Sequence, residues 1–451
     1  MSKCRRRRFP VSRGRLSPPG RRLALAGCFS AILLGYFATP PAAQAETVFV
    51  VTSFPEELTT RYEREFERKY PDIHVQYIWK QSRDALAALG KPGQDGADVY
   101  WAPTIANFAL LKQRGAFRRI AVDRAVLPGK LAREEISDPN GFYEAFDVAG
   151  YGVALDPAAA AREGLAPPRR WRDLAAPDHA RRLAMPVPSK VGFSPALYDI
   201  VLQSEGWRDG WTLLSEMAGE ATLLDQGAFP VAQVKEGKAV FALTIDFFAV
   251  SAKANGASVD IIYPERTAFL PAHIAMTAAT NHAAAAQAFI DFALSKEGQG
   301  LMMAPDSRRH PARPDVYDHA PPELVDPFRL PDANIVDYDF EIGRRRPPLV
   351  TLLFDLAIVE GHDESAKLWR SIHEAERTAP GMQEAKQALA EARRLASFVP
   401  VSEGAARDLA FLERFADRQA VDPALIAKWR QEIADARRKA KDVLSGLGAA
   451  Q

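Results

Sequence analysis

The residue types that most often carry catalysis are present in this sequence, but not in a catalytic arrangement. The eight histidines are scattered, and no two have the spacing of a zinc-binding helix. Neither a Gly-x-Ser-x-Gly elbow nor a Walker phosphate loop occurs. Glu56 and Glu57 could act as acid and base, but carboxylates are equally expected in the first turn of a helix, where the helix dipole stabilises them. We predict no catalytic residue, no cofactor and no metal ligand; an exported hydrolase would need a nucleophile with an adjacent base.

Binding is better supported, because small hydroxyl residues recur where predicted strands pass into helices. Ser53, Ser82, Thr104 and Ser194 each stand at such a junction and are predicted to be helix N-caps. Helices that start at the carboxyl edge of a parallel sheet present free N–H groups and favour an anion there. Each hydroxyl alone could be only a cap, but helix starts that converge on one cleft would form an anion site.

Several cations could complete such a site: Lys80, Arg83, Lys190 and the cluster 308–310. Any one of them could equally be a solvated surface charge. Arg309 is our first choice, because a guanidinium binds a carboxylate or a phosphate with two parallel hydrogen bonds.

Aromatic side chains could wall the carbon skeleton of a solute, and we expect Trp79, Trp101 and Phe247 to do so. Asp246 could accept a hydrogen bond from a ligand hydroxyl or pair with a cation. The predicted ligand-binding residues are Ser53, Phe54, Trp79, Ser82, Trp101, Lys190, Ser194, Asp246, Phe247 and Arg309.

The elements that position these residues begin with a buried strand. Residues 48–51 are apolar and mostly β-branched, as in the strands of a parallel sheet, and the chain then enters a predicted helix from about Phe54 to Lys69. Strands predicted at 74–79 and 97–101, each followed by a helix, give a doubly wound β-α-β-α-β-α pattern.

Two further patterns predict the rest of the architecture. Residues 143–155 and 272–277 read as strands that cross between two α/β lobes. From about Gly343, Ala, Leu, Glu and Arg dominate. Amphipathic helices are predicted at 349–359, 365–377, 383–397, 403–418 and 423–444. Short apolar stripes and frequent loops favour a helical appendage packed on one lobe over a coiled coil.

The first 45 residues predict a cleaved signal peptide and export to the periplasm. A basic segment ending at Arg22 precedes an apolar run from Leu23 to Phe37 and the small-x-small pattern of residues 43–45. Two alternatives stay open. Residues 25–28 spell a lipoprotein box, although it follows Arg22 closely, and the apolar run could be an uncleaved anchor, although it is short for a membrane span. Export by either the Sec or the twin-arginine route is compatible with the sequence.

The chain that follows the signal peptide is acidic. The leader holds nine of the 58 Lys and Arg residues and no acid, which leaves 49 basic against 57 acidic residues, a net charge of −8. A chain of that sign is not suited to nucleic acid or to an anionic membrane, so any anion site must be local. Cys4 and Cys28 both lie in the leader, so the exported chain has neither a disulfide nor a thiolate.

Five motifs, in their order along residues 46–317, resemble those of the periplasmic solute-binding proteins of ABC importers, in the branch of ferric-iron and phosphorylated-solute receptors. The motifs are Thr52-Ser53-Phe54-Pro55-Glu56-Glu57, Phe66-Glu67-Arg68-Lys69-Tyr70-Pro71, Ala97-Asp98-Val99, Lys235-Glu236-Gly237-Lys238 and Phe292-Ala293-Leu294-Ser295-Lys296-Glu297-Gly298-Gln299. The resemblance implies a type II periplasmic binding protein fold, whose two lobes close on a solute and deliver it to an inner-membrane permease.

On this basis we expect an α/β protein of two lobes with a C-terminal all-helical extension. Lobe 1 would comprise residues 46–147 and 272–325, lobe 2 residues 148–271, and the extension residues 326–451. Iron-binding relatives carry adjacent tyrosines after the strand that matches 239–245. Here that place reads Asp246-Phe247-Phe248, and phenylalanine has no oxygen to ligate a hard ferric ion.

The segments 245–248 and 309–314, together with the long helical tail, are instead similar to the phosphoglycerate transport regulatory protein group. This similarity implies a small organic anion as ligand, for example a phosphorylated three-carbon acid. It also implies one of two partners besides that ligand: the permease of an ABC importer, or the periplasmic domain of a histidine kinase that induces uptake.

Overall fold

The computed structural model describes residues 45–225, 229–378 and 383–449, so the predicted signal peptide lies outside the described residues except for Ala45. The strands are β1 Glu46–Thr52, β2 Ile73–Trp79, β3 Val99–Ala102, β4 Phe117–Arg118, β5 Lys130–Leu131, β6 Glu134–Glu135, β7 Glu144–Leu155, β8 Leu183–Pro186, β9 Thr222–Leu224, β10 Phe241–Ile245, β11 Asp260–Ile262, β12 Phe269–Thr277 and β13 His310–Pro311.

Helices follow most of the strands. They are α1 Glu56–Lys69, α2 Ser82–Leu89, α3 Ile105–Gln113, α4 Pro157–Glu163, α5 Pro177–Ala180, α6 Ser194–Glu205, α7 Trp207–Glu220, α8 Pro230–Lys235, α9 Asp246–Ala254, α10 Ala283–Leu294, α11 Lys296–Leu301, α12 Phe340–Gly343, α13 Pro347–Phe354, α14 His362–Thr378, α15 Gln383–Ala396, α16 Leu409–Glu413 and α17 Pro423–Ala449. Among the helices described, none combines the length and the apolar character that a membrane span requires.

The main sheet has the strand order β2-β1-β3-β12-β7-β10-β8-β9. Strands β1, β2 and β3 are parallel and form the sheet of the first lobe. Strands β8, β9 and β10 are parallel and form the sheet of the second lobe. We call the carboxyl ends of β1–β3 the first edge and the carboxyl ends of β8–β10 the second edge.

Two long strands join the lobes, as the sequence predicts. All twelve residues of β7 are buried, and β7 pairs antiparallel with both β10 and β12. Strand β12 returns to the first lobe and pairs antiparallel with β3. The predicted crossing strand at 272–277 is therefore present but begins three residues earlier, at Phe269. The residue limits that we predicted for the lobes stay a prediction.

Each lobe has its own apolar core. In the first, Phe54, Tyr62 and Phe66 of the α1 region pack with Trp101 and with helix α10. In the second, side chains of β7, β8 and β10 pack against α6 and α7, and this cluster continues without a break into α13 and the segments around Val401 and Trp429. Helix α13 and the start of α17 therefore share one core with the second lobe, whereas α14 and α15 form a smaller cluster with the rest of α17. This agrees with the prediction of an appendage packed on a lobe.

Helix α14 shows how close this packing is. The Trp369 side chain is fully buried, and its Nε1 donates a hydrogen bond to the Ser215 hydroxyl of α7 at 3.0 Å. A Cβ atom added at Gly219, one turn further along α7, would lie 2.9 Å from the Cβ of Trp369. Glycine at 219 thus permits α7 and α14 to approach.

The single helix predicted over 403–418 is wrong. The structure has a 3-10 turn at Ala405–Arg407, the short helix α16 and a second 3-10 turn at Arg418–Ala420. Asp408 caps α16 by accepting hydrogen bonds from the Ala410 and Phe411 amides, and Asp417 accepts one from Gln419. Each aspartate starts a new turn, because its side chain competes for backbone donors that a continuous helix would use.

Candidate functional site

The strand-to-helix junctions place helix starts at both edges of the sheet. At the first edge, Thr52 ends β1, and its hydroxyl accepts a hydrogen bond from the Phe54 amide at 3.1 Å. Pro55 is the N-cap of α1, and Glu56 and Glu57 occupy its first turn. At the second edge, β10 passes directly into α9 at Asp246. Each of these helix starts carries the positive end of a helix dipole.

Arg309 lies between the two edges. Its guanidinium carbon is 4.9 Å from the ring centre of Phe54 and 4.2 Å from that of Phe247. Its Nη1 donates a hydrogen bond to Asp147 of β7 at 2.7 Å, and only 8% of the residue is exposed. One ring comes from the start of α1 and the other from the start of α9, so this cation connects the lobes. Its charge is compensated by Asp147, which the sequence analysis did not select.

Asp246 is fully buried beside this group. Its Oδ2 accepts hydrogen bonds from the Gly150 amide at 2.6 Å and the Tyr263 hydroxyl at 3.1 Å, and its Oδ1 accepts one from the Phe247 amide at 2.6 Å. The carboxylate is thus satisfied by the chain itself. A Cβ atom at residue 150 would lie 2.7 Å from Oδ2, so glycine is required for this approach.

Burial shifts the proton equilibria of two neighbours in this region. Burial raises the pKa of Asp246 to about 7, and the three hydrogen bonds only partly oppose this effect. Burial also lowers the pKa of His310 to about 4. His310 Nδ1 is 3.2 Å from Asp246 Oδ2, but its orientation does not make a hydrogen bond, so we treat the pair as a close contact.

The predicted capping role of the serines is wrong for Ser53, Ser82 and Ser194. The N-caps of α1, α2 and α6 are Pro55, Gln81 and Phe193, and none of the three makes a side-chain capping bond. Ser194 is the first residue of α6, fully buried, and its hydroxyl donates to the Val191 carbonyl at 2.6 Å. Ser53 is half-buried and Ser82 exposed.

Thr104 is the N-cap of α3, as predicted, but makes no side-chain bond there. A hydroxyl at a junction therefore identified the N-cap residue at one of the four junctions only. Whether Ser53, Ser82 or Ser194 contacts a ligand stays a prediction.

The remaining candidates differ in exposure. Trp79 ends β2 at the first edge and is 60% exposed. Trp101 is fully buried, 4.8 Å from the ring of Phe54, so it supports that ring from inside the first lobe. Lys190 is exposed in the loop before α6. The structure thus brings together Phe54, Phe247 and Arg309, with Asp246 adjacent.

Two large cavities lie away from the ten predicted residues. The first, about 820 Å³, lies between α5 and α7 on one side and α14 and α15 on the other, and Arg393, Glu216 and His373 line it. A second, about 610 Å³, lies where the hairpin β5–β6, helix α6 and the start of the extension meet. Within the described residues, no group of three or more His, Cys, Asp or Glu side chains could hold a metal ion.

Comparison with known proteins gives the class of this protein. Residues 105–337, more than half of the chain, match the family model of bacterial extracellular solute-binding proteins, and the chain belongs to that family. Proteins of this family bind solutes. The resemblance drawn from the sequence motifs is confirmed.

Among curated proteins, the phosphoglycerate transport regulatory protein PgtC of Salmonella typhimurium is 28% identical over 284 residues, which cover 63% of this chain and 68% of that protein. A protein of the same name from Salmonella typhi gives the same identity and coverage.

Solved structures confirm the type II periplasmic binding protein fold. The fructose-6-phosphate-bound protein AfuA from Actinobacillus pleuropneumoniae aligns with a TM-score of 0.55 and 17% identity, over 69% of this chain and 98% of AfuA. The apo ferric ion-binding protein A of Pasteurella haemolytica aligns with a TM-score of 0.56 and 16% identity, over 69% of this chain and 97% of that protein. At these identities the likeness shows the fold alone.

Proposed function

We propose that this protein is a periplasmic receptor that captures a small organic anion between its lobes for an ABC importer. The observation that carries the proposal is the meeting of helix starts from both edges around Arg309. Free N–H groups and the positive ends of helix dipoles favour a carboxylate or phosphate at such a place. The name of its curated relative makes phosphorylated three-carbon acids the first candidates.

Closure is proposed to occur by bending of the two crossing strands near Tyr151 and Ala272. A solute stabilises the closed form only by its higher affinity for that form. Removal of the leader would release the mature chain into the periplasm, where it would meet the permease.

The test is calorimetry with the mature chain, residues 46–451, against 2-phosphoglycerate, 3-phosphoglycerate, phosphoenolpyruvate and Fe³⁺. We expect saturable 1:1 binding of at least one organic anion. Binding of Fe³⁺ alone would overturn the proposal in favour of a ferric-binding protein. Turnover of these phosphoesters would instead revive the exported hydrolase.

A second candidate function is that of a sensor whose loaded form contacts the periplasmic domain of a histidine kinase. The observations that favour it are the regulatory role in the name of the relative and the C-terminal helices. Part of these helices shares a core with the second lobe. Deleting them would therefore impair folding as well as any contact with the kinase. Charge reversal of an exposed residue on α17, such as Lys439→Glu, should instead abolish induction while the ligand affinity and melting temperature stay unchanged. Normal induction by a set of such reversals over the exposed face of α17 would contradict contact through this helix.

A further inference from the structure

Large apolar side chains that remain exposed are concentrated at the two edges of the sheet. In the described part of the chain they are Phe229 at 62%, Trp79 at 60%, Phe248 at 38% and Val359 at 37% exposure. Trp79 ends β2 at the first edge, and only Val359 lies away from both edges, in the extension. Exposed aromatic surface is unfavourable in water, so the neighbouring rings of Phe229 and Phe248 at the second edge mark a surface that binds something.

The second edge carries a cluster of four phenylalanines, Phe193, Phe229, Phe247 and Phe248. The ring of Phe248 is 4.5 Å from that of Phe247, 5.9 Å from that of Phe193 and 6.4 Å from that of Phe229. Phe193 directly precedes α6, Phe229 directly precedes α8, and the other two lie in the first turn of α9. The helices α6, α8 and α9 follow the parallel strands β8, β9 and β10, so the topology gathers all four rings at one edge.

This cluster is continuous with the contact between the lobes. Phe247 stacks on Arg309, which stacks on Phe54 at the first edge. Arg309 fills the space between those two rings, so a solute must lie beside it, towards the more exposed Phe248.

The polar side chains next to the cluster are already satisfied. Asp246 receives three hydrogen bonds from the chain, the Ser194 hydroxyl donates within its own turn, and Arg309 is paired with Asp147. A solute at the second edge would therefore meet the faces of aromatic rings as well as the backbone N–H groups at the helix starts. Exposed Lys190 in the loop before Phe193 is the cation that the sequence places nearest to this edge.

We infer that the solute is an amphipathic organic anion, with a carboxylate or phosphate at the helix starts and an aromatic body on the phenylalanine cluster. This inference rests on the proposed function, and it names the class of anion. Aromatic stacking adds to the affinity that area burial alone provides, and its geometry selects planar bodies.

The test compares ligands that share a head group and differ in the body. Calorimetry with the mature chain should give phenyl phosphate an affinity about tenfold higher than methyl phosphate. Phe248→Ala should remove most of that difference and leave methyl phosphate unaffected. Phe248 is partly exposed, so the variant should fold, with a melting temperature only slightly lowered by the lost contacts with Phe193, Phe229 and Phe247. Val359→Ala is the matched control, because it removes an equally exposed apolar side chain from the extension.

Two results would overturn the inference while the proposed function stands: equal affinity for both phosphates, or an unchanged phenyl phosphate affinity in Phe248→Ala. If the wild-type chain binds neither phosphate nor any of the three-carbon acids named above, the proposed function fails and the inference fails with it.

Discussion

Arg309 is held by a carboxylate and by two aromatic rings that come from different lobes. Arg309→Ala would leave Asp147 buried with no cation, because Asp147 is only 1% exposed. Breaking such a pair by removing one partner costs about 3–5 kcal/mol. We expect a loss of this size in the free energy of unfolding, measured by urea denaturation.

The matched variant carries Arg309→Ala together with Asp147→Asn, which removes the unpaired charge as well. It should recover a substantial part of the stability. A loss below about 1 kcal/mol in the single variant, the range of an exposed ion pair, would show that the pair is solvated and that the lobes do not enclose it.

The buried carboxyl group of Asp246 should make the stability of the protein depend on pH. Its pKa is about 7 in the folded chain, above the ordinary value of 3.8, so the folded state holds the proton over a range in which the unfolded state has lost it. The resulting stabilisation is fully present below pH 4 and is lost as the pH rises through 7. Asp246→Asn keeps a neutral group, so its stability relative to wild type should rise across this range, by at most about 1.4 kcal/mol per pH unit.

Urea denaturation at half-unit steps from pH 4 to 8 measures this effect. The lowered pKa of His310 acts in the opposite direction, with stability lost as the pH falls from 6.5 towards 4. Asp442→Asn, an exposed site on α17, is the control. A difference between Asp246→Asn and wild type that does not change with pH would refute a buried, protonated Asp246.

Sequence analysis identified part of this residue group. Asp246, Phe247 and Arg309 could be selected from their types and their place near a strand end. Asp147, Gly150 and Tyr263 could not, because they reach the group from β7 and from the end of β11, up to 162 positions away in the sequence. The one available signal was an aspartate inside the otherwise apolar run of β7, which indicates a buried partner.

At the scale of elements, the contact between α7 and α14 predicts that a glycine-to-alanine substitution will destabilise the protein, opposite to its usual effect. Replacing a glycine inside a helix by alanine normally stabilises a protein by up to about 1 kcal/mol. Gly219→Ala should instead destabilise this protein by about 1–3 kcal/mol, because the new methyl group would meet three atoms of Trp369 within 3.0 Å. Thermal denaturation measures the change.

Gly300→Ala is the matched control, since it also lies inside a helix but has open space around it. It should be neutral or stabilising. If both variants were stabilising, α14 would not pack on α7 as the structure has it.

The elements themselves were largely predictable, whereas their ends were not. Strands β2 and β7 match the predictions at 74–79 and 143–155 to within one residue, because alternating or continuously apolar runs dominate the local conformation. Helix starts were misplaced by one or two residues at Ser53 and Ser82. Several residues near a junction can serve as the N-cap, and tertiary packing decides among them.

At the scale of the whole molecule, the C-terminal helices are part of the second lobe. Removing residues 343–451 would expose the apolar surface of α6 and α7 that α13 and α14 cover. We expect the truncated chain to lose its cooperative unfolding transition and to bind a hydrophobic dye. Near-ultraviolet circular dichroism during urea denaturation measures this, with residues 46–451 as the control. A truncated chain that unfolds cooperatively would make the extension a separate unit.

The two-lobed plan could be predicted because strand and helix patterns repeat along the chain and two long strands interrupt them. The merger of the tail with one lobe could not be derived residue by residue. It depends on which faces of α7, α14 and α15 meet, and a sequence stripe shows only that a helix has an apolar face, not its partner.

The central claim is that a solute is held between helix starts from both edges. Hydrogen–deuterium exchange of the mature chain, with and without saturating 3-phosphoglycerate and then phenyl phosphate, tests it most directly. We predict simultaneous protection at 53–58 and 79–85 on the first edge and at 190–197 and 246–250 on the second. Protection confined to the 820 Å³ cavity between α7 and α14, or to one edge alone, would contradict the account.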